Sequence, residues 1–136
     1  MNELLGTMYS YSNIDFIESS KAFIVKFPSI EKFFDKIRTS SISSSRHKIK
    51  ARMSKGIEFK ATTELDFTHI ADGIGTGDAS AAGIIHDLLN FDDDKAMEFG
   101  NAACTIKQMY SSSFNSKNKK EVLSILKGNV TGRLHR

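Results

Sequence analysis

The sequence predicts an α/β protein, with a short mixed sheet containing a β-hairpin and about four helices. Three observations carry that expectation. Apolar residues recur at helical spacing from Asn13 and again after Ala79. Between them, two runs alternate apolar and polar residues on either side of Lys55-Gly56, the pattern of a hairpin. A single proline among 136 residues leaves the longer segments unbroken.

The elements follow in chain order. Asn13 to Phe27 carries Ile14, Phe16, Ile17, Ala22, Phe23, Ile24 and Val25, spaced mostly for a helix, with Ser12 or Asn13 as N-cap and Pro28 at its end. Ile30 to Ile37 reads either way, because Ile30, Phe33, Phe34 and Ile37 fit a helical face and a short strand fits equally. Thr39 to Ser45 reads as a loop, since serine and threonine hydroxyls compete for backbone hydrogen bonds. From His47, Ile49, Ala51 and Met53 alternate with Lys48, Lys50 and Arg52, a strand with one wet face. Ile57, Phe59 and Ala61 alternate with Glu58 and Lys60 on the return. Leu65, Phe67 and His69-Ile70 form a further short strand that runs into Asp72-Gly73-Ile74-Gly75-Thr76-Gly77-Asp78. Ala79 to Asn90, with Ala81, Ala82, Ile84, Ile85, Leu88 and Leu89, reads as a buried helix. Asp92, Asp93 and Asp94 precede a helix over Lys95 to Tyr110, where capping is a better reading of the aspartates than metal binding. After a polar loop, Ser111 to Asn118, a last helix spans Lys119 to Lys127 and stops at Gly128.

Composition excludes several classes. The chain is 40% hydrophobic and 26% charged, with a net charge of +3. No run approaches the roughly 18 to 20 apolar residues of a membrane span, and no secretory leader is read at the start. Basic residues are spread and interleaved with acidic ones, so no nucleic-acid surface is expected. Cys104 has no partner for an intramolecular disulfide and reads as a buried, inert thiol, in keeping with a cytoplasmic protein. His69 and His86 read as packing or surface residues, and no His/Cys spacing suits a metal.

The sharpest chemistry lies at Gly75-Thr76-Gly77-Asp78, between a strand and a helix rich in small residues. A glycine loop leading into a helix N-terminus offers free N–H groups and a favourable dipole to an anion. An aspartate at that start is placed to take a proton from a substrate hydroxyl while the amides hold a phosphoryl group. The spacing is neither a Walker loop nor G-x-G-x-x-G. On spacing alone, a structural glycine turn remains the more frequent outcome.

The stretch Asp72-Gly73-Ile74-Gly75-Thr76-Gly77-Asp78-Ala79-Ser80-Ala81-Ala82-Gly83 resembles the D-x-x-G-A-G-D-x-F-x-x-G motif of the ribokinase-like, or PfkB, carbohydrate kinases. Thr62-Thr63, Ala81 to Ile85, Asn101-Ala102-Ala103 with Lys107, and Arg38 to Ser45 look in particular like a 2-keto-3-deoxygluconate kinase. The resemblance implies the C-terminal half of a ribokinase-like fold, one partial domain over 1–136 with the nucleotide-binding and catalytic-base half and without the substrate and lid half. It implies an ATP-dependent sugar-acid kinase, with Mg²⁺ carried by the nucleotide. Asp78 would be the catalytic base; Gly75, Thr76 and Gly77 the anion hole; Asp72 a substrate or loop-orienting group. Asn101 and Ala102 would lie beside adenine, and Arg38 and Ser40 near the phosphates or ribose. Thr76 stands where alanine is usual, Ser80 where an aromatic is usual, and Lys36-Ile37-Arg38 where T-x-G is usual; Asn2 is followed by Leu5, not by the glutamate of N-x-x-E. A sheet that normally continues further would leave an exposed edge, so self-association is expected.

Overall fold

A computed structural model describes residues 2–6, 8, 10, 12–41, 46–68, 70–111 and 117–128. The short helix α1 (Asn2–Leu5) is followed by α2 (Asn13–Lys26), which starts where Ser12 accepts from the Asp15 backbone N–H. Its inner face is Phe16, Ser19, Ser20 and Phe23, at i, i+3, i+4 and i+7. Two serines fit there because each donates to a carbonyl one turn back, and Ser20 is also hydrogen-bonded to Ser54 at 2.7 Å.

The sheet consists of β1 (Phe33–Ser41), β2 (Arg46–Lys55), β3 (Glu58–Ala61) and β4 (Leu65–Phe67). β2 is central, with β1 along one side and β3 and β4 on the other. All three described pairings are antiparallel, where a mixed sheet is expected. The connections are only a few residues long, and parallel neighbours need a crossover of a dozen or more. The hairpin turn falls at Gly56, at φ 60°.

Two sequence expectations change. Phe33 to Ile37 is a strand, as the family resemblance implies against the local helical spacing, but it runs on through Thr39, Ser40 and Ser41, residues read as loop; pairing with Lys48, His47 and Arg46 overrides their local preference. Residues 42–45 and His69 lie outside the described residues. The outer face of β2 is not wholly wet: Arg52 is 2% exposed, under α2, with its guanidinium 4.2 Å from the Phe16 ring. It donates to Asp35, to the Ser12 carbonyl and to Asn13, so α2 is anchored by a satisfied buried cation.

The opposite face of β2, Ile49, Ala51 and Met53, packs on α4 (Asp93–Gln108) through Cys104 and Met97. Asp92 caps α4 by accepting from the Lys95 backbone N–H. α3 (Thr76–Leu88) lies against α4, and α5 (Lys119–Leu126), started by an Asn118/Glu121 capping box, closes the other side with Val122 and Ile125. Helix α3 is not buried all round: Ala81, Ala82, Ile85 and Leu89 face outward. Cys104 is fully buried, as read. No helix among the described residues is long and apolar enough to cross a membrane.

Candidate phosphoryl site at the start of helix α3

The loop before α3 is tied down by its own backbone. The N–H groups of Ala71 and Asp72 donate to the Gln108 carbonyl, at 2.8 and 3.3 Å, fixing the loop to the C-terminal end of α4. The half-buried Asp72 accepts the Ile74 N–H at 2.9 Å, and Thr76 donates to the Gly73 carbonyl at 3.0 Å. Gly75 is the N-cap, at φ 74° and ψ 3°, a left-handed conformation that favours glycine. It makes no side-chain cap, so the first amides of α3 remain available to a ligand.

Among the described residues, nothing needs glycine at 77. A Cβ there would meet no atom closer than the Lys36 ammonium, at 4.0 Å. Glycine inside a helix costs roughly 0.5–1 kcal/mol relative to alanine, and here it leaves an open approach above the helix start. Asp78 lies one position on, exposed, making no hydrogen bond or ion pair with any described residue.

Strand β1 supplies the other wall. Its alternation puts Phe34, Lys36 and Arg38 on the face toward α3 and α4, and Phe33, Asp35 and Ile37 on the face toward α2. Lys36 reaches the Cys104 sulfur at 3.4 Å and Arg38 donates to Gln108 Oε1 at 3.1 Å. Lys36, Arg38, Ile49, Gly73, Thr76 and Gln108 enclose an open cavity of about 330 Å³. Two cations facing the positive end of a helix dipole are mutually unfavourable until an anion lies between them.

Among the residues read from the sequence, the structure brings Thr76 and Arg38 to one cavity, and Asp72, Gly75, Gly77 and Asp78 lie next to Gly73 and Thr76 along the chain. Ser40 lies in β1 opposite His47, and its side chain is outside the described residues. Asn101 and Ala102 lie elsewhere. Asn101, 2% exposed, donates to the Ile49 carbonyl and to Thr62, and Ala102 is sealed in the core with Phe99, Ile106 and Val122. The Asn101 side chain ties α4 to β2, and Ala102 belongs to the core between α4 and α5. Lys36 and Gln108 are the members that sequence reading missed. The signal for Lys36 was the two-residue spacing from Phe34 and to Arg38, visible once the segment is read as a strand. Among the described residues no three metal-ligating side chains stand together.

A glycine loop at a helix start faces two strand cations across an open cavity in an α/β protein, an arrangement whose charge is complementary to an anion. No family model and no curated protein matches the chain. Solved structures do. An Enterococcus faecalis protein assigned as a 2-keto-3-deoxygluconate kinase aligns at TM-score 0.81 with 20% identity, over 99% of this chain and 40% of its own. A Listeria grayi PfkB family carbohydrate kinase gives TM-score 0.70 and 25% identity, over 86% and 35%. A Thermotoga maritima 2-dehydro-3-deoxygluconokinase gives 0.77 and 20%, over 93% and 38%. The chain therefore has the fold of a portion of the PfkB-type carbohydrate kinases, and spans 35–40% of the length of these structures. The resemblance read from the glycine loop holds at the level of fold.

Proposed function

We propose that this chain is the nucleotide-binding, catalytic-base portion of an ATP-dependent kinase for 2-keto-3-deoxygluconate or a related sugar acid. The observation that carries the reading is the open cavity in which Lys36 and Arg38 face Gly73 and Thr76 of the loop before α3, with the exposed Asp78 two positions beyond Thr76. Asp78 takes the proton of the sugar hydroxyl as its oxygen bonds to the γ-phosphorus and the bond to the bridging oxygen breaks, releasing ADP. The amides and the two cations offset charge on the transferred group. Mg²⁺ arrives with the nucleotide, and Asp72 holds the loop through Ile74. ATP fits the cations and open helix start; Asn101 and Ala102 act in this reading by positioning α4.

The test is ADP release with 2-keto-3-deoxygluconate, run on the protein in its full natural reading frame. Asp78→Asn is expected to lower kcat by about 10²–10⁴-fold with the ATP dissociation constant unchanged. Undiminished turnover by Asp78→Asn would contradict the assignment.

A second reading, a non-catalytic nucleotide-binding protein, is favoured by one observation. Lys36 and Arg38 occupy the positions of the usual T-x-G and place two fixed charges at the cavity. Saturable ATP binding with no turnover of any sugar acid by that same full-frame protein would select it.

A further inference from the structure

Gln108, the last residue of α4, is 1% exposed and joins three parts of the site. Its main-chain carbonyl accepts the Ala71 and Asp72 N–H groups that tie down the glycine loop. Its side-chain Oε1 accepts from the Arg38 guanidinium at 3.1 Å, and its Nε2 donates back to the Cys104 carbonyl at 3.4 Å. These partners leave the amide one orientation. A carbonyl only accepts and a guanidinium only donates, so a turned amide would set oxygen against oxygen and N–H against N–H. Cys104 and Gln108, one turn apart on α4, meet Lys36 and Arg38, on one face of β1, so the last turn of the helix spaces both cations.

Arg38 is exposed, and among the described residues Gln108 is its hydrogen-bond partner. A long exposed arginine keeps many rotamers and loses them on meeting an anion. We propose that Gln108 is a positioning residue: it fixes the Arg38 guanidinium at the cavity wall before any phosphate arrives, in step with the loop that its own carbonyl holds. The inference deepens the proposed phosphate site and rests on that reading for the ligand that Arg38 meets. Ordering one such side chain in advance raises affinity about 2- to 12-fold.

Gln108→Met keeps the side-chain length and the main-chain carbonyl and removes the amide. Isothermal titration of Mg²⁺·ATP, on the protein in its full natural reading frame, is expected to show binding weakened about 2- to 12-fold by Gln108→Met. In an Arg38→Met background the same substitution should leave affinity unchanged. A merely structural loss would lower affinity alike in both backgrounds, and that additivity would overturn the proposal; so would a Gln108→Met variant that binds as wild type does. A second readout needs neither ATP nor a variant. Magnetic resonance spectra of the wild-type protein should resolve distinct Nη signals for Arg38, held from rotating by Oε1, and one averaged signal would also overturn the proposal. Were the wild type to bind no ATP, the nucleotide reading would fail, while these spectra would still decide whether Gln108 fixes Arg38.

Discussion

Gly75 and Gly77 look alike in the sequence but do different physical jobs. Gly75 holds a left-handed N-cap, and Gly75→Ala is expected to destabilise the chain by roughly 1–2 kcal/mol, the cost of forcing a Cβ into that region. Gly77 is an ordinary helical residue in open space, and Gly77→Ala is expected to stabilise by roughly 0.5–1 kcal/mol. The added methyl would stand in the anion approach, so ATP affinity should fall as stability rises. Urea unfolding beside calorimetry checks both signs; a Gly77→Ala variant that binds ATP as well as wild type would show that Gly77 does not keep the anion approach open. The cluster itself was legible through its likeness to the D-x-x-G-A-G-D motif, because on spacing alone a structural glycine turn is the more frequent outcome. Lys36 was not, because its role depends on which way a strand side chain points, and the segment's apolar spacing also suited a helix.

At the scale of elements, α3 and α4 are held by close approach of backbones. The Cα of Gly100 lies 3.0 Å from where a Cβ on Gly83 would stand; a Cβ on Gly100 would come within 2.9 Å of the Ser80 carbonyl and meet Ile84. A carbonyl on a helix cannot swing aside, so Gly100→Ala is expected to destabilise by about 1–3 kcal/mol, read as a lower urea midpoint. The helix starts titrate. The Lys95 backbone N–H chiefly holds the Asp92 carboxyl below its ordinary 3.8, and the Asn118 N–H chiefly holds Glu121 below 4.5. A carboxyl whose folded value is depressed stabilises the fold above its unfolded value and loses that contribution as pH falls through the folded one. Stability should therefore hold above pH 4.5 and decline below it, and Asp92→Asn, which keeps a capping acceptor without the charge, should make that decline shallower in urea titrations across pH. The first cap was legible in the Asp92-Asp93-Asp94 run, whereas Asn118 reads in the sequence only as the end of a polar loop. The extension of β1 to Ser41 and the burial of Arg52 were not, because each is imposed by a distant element: β2 in the first case, α2 in the second.

For the molecule as a whole, periodicity carries α2, the hairpin and the helices after the glycine loop, though neither α1 nor β1, and that loop marks where the candidate site lies. What periodicity does not carry is lateral arrangement: that β2 is central, that β1 pairs only with β2 among the described residues, and that α3 faces β1 across a cavity. Those follow from register between segments far apart in sequence, and they decide that Lys36 and Arg38 meet the start of α3 at all. The central claim is that this meeting place holds the phosphates of a nucleotide. Isothermal titration of Mg²⁺·ATP into the chain tests it most directly. Saturable binding is expected in wild type and in Asp78→Asn, weakened at least tenfold in the Lys36→Met/Arg38→Met double variant. No binding, or binding indifferent to the loss of both cations, would contradict it.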